Sequence, residues 1–143
     1  MGHQDRGHFA AKHKGHKINE AIADKIRAMA VNDAVTCASA HRISKELNLP
    51  PSDIGIQIDL LEFKITECQL GLFGYGNGRK KINPEIEISP DLDEKLKKTA
   101  ADGRISCLLC WDIAGQLKMK RIDVGSACEK MNIRIKPCQL GSF

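Results

Sequence analysis

No stretch of the 143-residue chain approaches the roughly 18 consecutive apolar residues needed to span a bilayer, which argues against a membrane protein. The opening residues, MGHQDRGHFAAKHKGHK, also lack the apolar run of a secretory signal. A cytoplasmic location is therefore expected, with the cysteines kept reduced. A phosphate-cradling glycine motif is missing as well, because Gly74, Gly76 and Gly78 alternate along a loop instead of preceding a helix. Acidic pairs fall at helix positions that face solvent, and beyond His41 no histidine stands near a cysteine. Without a catalytic constellation, neither an enzyme nor a cofactor is expected.

What the chain does contain is itself, twice. Shifted by seventy positions, Cys37, Ile43, Leu47, Asp53, Gly55, Ile65, Cys68, Gln69, Leu70, Gly71 and Phe73 fall without a gap on Cys107, Ile113, Leu117, Asp123, Gly125, Ile135, Cys138, Gln139, Leu140, Gly141 and Phe143. A period this long is a small domain and not a solenoid unit. The net charge of +4 is unevenly spread: residues 18–73 carry five basic against eight acidic side chains, net −3, and residues 90–143 ten against seven, net +3. Two copies of opposite sign have diverged in use, or attract each other.

The His/Lys-rich residues 1–17 offer little apolar surface and read as a flexible arm. Asn19 then caps a helix striped by Ile22, Ile26 and Met29; its counterpart is capped by Ser89, with Pro90 first and Leu92 and Leu96 as the stripe. Turns at Asn32-Asp33 and Asp102-Gly103 lead to short extended pieces at Val35 and Ile105, and Thr36 and Ser106 cap the next helices.

The stretch from Ile43 to Ile58 carries a small Ser44 inside one helix, Asn48 where a left-handed turn is needed, Leu49 after it, and Ser52 as the cap of a second helix anchored by Ile54, Ile58 and Leu61. In the second copy Ala114, Met119, Val124, Cys128 and Met131 take the matching places, and Lys118 replaces Asn48 as a poorer fit. Alternation at Phe63 and Ile65, the Gly-rich stretch from Gly71 to Gly78 and the alternating Glu85-Ile86-Glu87-Ile88 read as a β-hairpin. These features resemble winged-helix domains in tandem. The expected fold is α+β and mainly helical, with an arm over 1–17, a first winged-helix repeat with its hairpin wing over 18–88, and a second with a truncated wing over 89–143.

The resemblance implies a DNA-binding transcriptional regulator, with the second helix of each motif in the major groove and the wing on phosphates. In the first copy that helix exposes Asp53, Ile56, Gln57, Asp59, Leu60 and Glu62, a poor match to a polyanion, and Ile56 and Leu60 form a stripe suited to a protein partner or to self-association. In the second copy Lys118, Lys120, Arg121, Ser126 and Lys130 are candidates for double-stranded DNA, with further charge from Arg134 and Lys136. Arg79, Lys80 and Lys81 at the wing are candidates for the phosphate backbone, as is Tyr75 for stacking.

Cys107, Cys110, Cys128 and Cys138 are candidate metal ligands or a redox centre, but no metal is favoured. They do not form two CxxC knuckles, and two of them align with Ala40 and Ile58, so core packing is the preferred reading. His3, His8, His13 and His16 belong to the arm. The alternatives to DNA binding are a protein-interaction module on a winged-helix scaffold and a metal- or redox-sensing regulator using the second copy's cysteines.

Overall fold

The structure, a computed structural model, describes residues 9–13, 15–76 and 79–143. It is α+β and mainly helical, with six α-helices and two two-stranded sheets among the described residues. Two compact units are present. One is built on the chain up to Cys68 together with Leu140–Ser142, the other on Gln69–Gln139 with Phe143.

In the first unit, helix α1 (Glu20–Met29) starts where the Asn19 side chain accepts from the backbone N–H groups of Ala21 and Ile22, satisfying donors that the helix leaves open. It buries Ile22, Ala23 and Ile26. Strand β1 (Ala34–Thr36) leads directly into helix α2 (Cys37–Leu47), capped by Thr36, whose hydroxyl accepts from the Ser39 N–H. Asn48 ends α2 in the left-handed region at φ 54°, and the buried Ser44 hydroxyl donates to the Leu49 carbonyl across that turn. Helix α3 (Pro51–Leu60) follows, and strand β2 (Lys64–Thr66) returns to β1. The pairing is parallel, with Val35 opposite Ile65, both buried. Parallel neighbours need a crossover, and α2 with α3 supplies it.

The second unit repeats this order seventy residues on: α4 (Pro90–Thr99), β3 (Arg104–Ile105), α5 (Cys107–Leu117), α6 (Arg121–Lys130) and β4 (Arg134–Ile135). Ser89 and Ser106 cap α4 and α5 through the N–H groups of Leu92 and Leu109, and β3 pairs parallel with β4. Left-handed residues recur at matching places, Asn48 with Lys118 and Glu62 with Asn132.

The identities of the two tails have a structural use. In the first unit, a Cβ added to Gly55 in the middle of α3 would lie 1.8 Å from the Leu140 carbonyl oxygen. In the second, one added to Gly125 in α6 would lie 1.9 Å from the Leu70 carbonyl oxygen. Leu70 and Leu140 are buried, so in each unit the backbone of a Leu-Gly pair lies against a helix at a place where only glycine fits.

Several expectations need correction. The hairpin wing is not formed among the described residues: β2 pairs with β1 instead, and the Lys81 N–H donates to the Gly71 carbonyl and the Tyr75 N–H to the Arg79 carbonyl outside any strand. Gly78, at the expected tip, lies outside the described residues. The second helix of the motif opens at Pro51 with Pro50 as its N-cap, so Ser52 caps nothing. Part of the expected arm is folded, with a 3-10 turn at Phe9–His13; His3 and His8 lie outside the described residues.

Candidate nucleic-acid interface

In both units the helix placed for groove reading is covered on its outward side. Along α3, the Gln57 side chain accepts from Asn19 N–H at 2.8 Å and donates to the Lys17 carbonyl at 3.1 Å. Asp59 meets His13 Nε2 at 2.7 Å, and the Glu62 carboxylate accepts from Ala10 N–H at 2.9 Å. Gln57 and Asp59 are consequently buried, and Ile56 and Leu60 are half-buried. Ile56 and Leu60, expected as an open stripe, are thus half-buried, and Gln57 and Asp59, expected to be exposed, are buried, because Ala10, His13, Lys17 and Asn19 bond across this helix, whereas Asp53 and Glu62 are exposed.

The second unit does the same to α6. Ser126, expected to reach a base edge, is 1% exposed; its hydroxyl donates to the Ile122 carbonyl and accepts from Asn83 N–H at 2.9 Å. Lys130 donates to the Ile86 carbonyl, and Lys80 pairs with Glu129 at 2.9 Å. The chain from Lys80 to Ile86, expected to be a wing strand, is thus drawn across the helix instead. Lys81 sits 5.6 Å from the centre of the Tyr75 ring, and Arg79 is exposed. Ile54, Ile58 and Leu61 form one apolar stripe along α3 and its C-cap and Ile56 and Leu60 a second, and a helix apolar on two sides is one that is covered on both. A glycine at mid-helix was the second available sign.

Lys118, Lys120 and Arg121 remain exposed together. Lys118 holds the left-handed turn at φ 53°, Lys120 is the N-cap of α6, and Arg121 is its first residue. The Arg121 guanidinium stacks 3.6 Å from the centre of the Trp111 ring, which orients it while leaving its N–H edge in water. Among the described residues no carboxylate pairs with these three side chains. No side chain caps α6, so its first N–H groups add to the positive field. The first unit has Asn48, Pro50 and Pro51 at these positions.

The candidate metal ligands lie mainly in the core. Cys107, Cys110 and Cys128 are buried and Cys138 is half-buried. A hydrogen bond to Cys128, together with burial, pushes the Cys110 thiol well above its ordinary range and keeps it protonated. Cys107 Sγ accepts from the Gln139 amide at 3.5 Å. Among the described residues no three histidine, cysteine, aspartate or glutamate side chains converge to hold a metal ion. No helix there is long and apolar enough to cross a membrane.

No protein-family model matches the chain, and no curated protein or solved structure is significantly similar to it.

Proposed function

We propose that the chain is a DNA-binding regulator on a winged-helix type scaffold without a hairpin wing, and that its second unit meets the phosphate backbone through the turn between α5 and α6. The observation that carries this reading is the grouping of Lys118, Lys120 and Arg121, exposed and paired with no carboxylate among the described residues, at the N-terminus of α6, which no side chain caps. Such a terminus favours an anion through its free N–H groups and its dipole, and the three cations supply the charge that releases counterions from a duplex. Base reading along the face of α6 is left out, because Ser126 and Lys130 are engaged within the unit. The expected mode is therefore backbone binding with little sequence preference.

Binding of the full chain to a random duplex at two salt concentrations tests this. Lys120→Glu combined with Arg121→Glu should weaken binding at least tenfold and lower the salt slope by about 0.9 for each phosphate no longer neutralised. Unchanged affinity and slope would reject the assignment.

A protein-interaction role is the second reading, now resting on a different surface. Leu108 and Leu109, on the first turn of α5, are 54% and 40% exposed, where the first unit has Ala38 and Ser39. Adjacent exposed leucines are a feature of protein contacts.

A further inference from the structure

We propose that the paired strands of the second unit carry a phosphate-group site made by Arg104, Arg134 and Lys136. Arg104 and Arg134 are register partners in the parallel pair of β3 and β4. Residues in register project from the same face of adjacent strands, whose backbones run about 4.8 Å apart. Ile105 and Ile135, the next residues, are buried at 2% and 8% exposure, so alternation turns both arginines outward. The ladder continues past the last strand residue, with Lys136 N–H donating to the Ile105 carbonyl at 2.8 Å and Cys107 N–H to the Pro137 carbonyl at 3.0 Å. Lys136 is thereby held two positions along from Arg134, on the same exposed face.

Like charges directly opposite each other destabilise a sheet, and among the described residues no ion pair offsets this one. All three side chains are exposed, and no carboxylate pairs with any of them among the described residues. Ser106, across from Lys136, has its hydroxyl committed to the Leu109 N–H. The scaffold does not require the cluster either: the first unit builds the same parallel pair with Ala34 opposite Lys64, and Thr66 in place of Lys136. Two guanidinium forks beside an ammonium group match the oxygens of a phosphate, which bridges the opposed arginines and removes their repulsion. Such a phosphate belongs either to a nucleic-acid backbone or to a small phosphate compound. The site is separate from the Lys118–Arg121 turn, at the other end of α5, and stands whether or not that turn meets DNA.

The test compares the full chain with its Arg104→Gln/Arg134→Gln variant, which keeps both buried isoleucines. Circular dichroism should show the variant folded, with a melting temperature in chloride equal to or above that of the parent. Two probes follow, inorganic phosphate at ionic strength matched to chloride, and a random duplex. A phosphate-dependent rise in melting temperature that the variant loses assigns the site to small phosphates. A loss of duplex affinity of at least tenfold assigns it to a nucleic-acid backbone. Lys136→Gln, outside the strand itself, should give a smaller loss in whichever arm responds. The proposal is overturned if parent and both variants behave alike with both probes. Running Lys120→Glu/Arg121→Glu alongside shows whether a failure belongs to this site or to the turn.

Discussion

The two units share their backbone plan and differ on their surfaces. At the middle of α3 and of α6 each has a glycine against a leucine carbonyl, and at the end of α2 and of α5 each has a left-handed residue. On the outside, the first unit has Asn48, Pro50 and Pro51 where the second has Lys118, Lys120 and Arg121, and Ala34, Lys64 and Thr66 where the second has Arg104, Arg134 and Lys136. The positions that meet backbone admit one solution, whereas solvent-facing positions are free to vary. At these matched positions positive charge collects at two exposed places of the second unit and not of the first.

If the equivalence of the units is real, the largest effect will come from their glycines. Gly55→Ala and Gly125→Ala each place a methyl group within 2 Å of a main-chain oxygen, and each should cost about 3 kcal/mol by urea denaturation. Tolerance of one and not the other would break the comparison. Next comes His13→Ala, which removes a charge-assisted bond to the buried Asp59 and should cost about 2 kcal/mol. The second unit has Asn83 in that place, bonded to Ser126 through its backbone, so Asn83→Ala should cost less.

A third experiment moves the core of one unit into the other. Cys110→Ala with Cys128→Ile reproduces Ala40 and Ile58, and the change in stability should stay within about 1.5 kcal/mol. A larger loss would show that the thiols do more than fill space. The smallest expected effect is at the turn: Lys118→Asn copies Asn48, relieves a left-handed lysine and should stabilise by about 1 kcal/mol, while duplex affinity falls. Thermal melting and a binding titration on the same sample read both.

Caps and turns were legible because they are decided within four residues. Asn19, Ser89, Thr36 and Ser106 accept from N–H groups just ahead of them, and Asn48 takes the conformation that its side chain tolerates. Strand direction was not legible, since runs of two or three residues carry no mark of the partner they will meet. Alternation at Glu85–Ile88 suggested a hairpin strand, yet Ile86 gives its carbonyl to Lys130. Nor was the register that sets Arg104 beside Arg134 visible, although Arg134 and Lys136 stood out as basic.

By itself, then, the sequence determined the seventy-residue period, the helices with their caps, the left-handed turns and the apolar side of α1 and α4, all of which follow from local propensity and spacing. Tertiary structure alone decided that α3 and α6 are covered, that the strands pair in parallel and that the leucine carbonyls meet the two glycines. The reason is one of distance along the chain: Gln57 meets Lys17 and Asn19, and Gly55 meets Leu140, and no window of neighbouring residues contains both members of such a pair.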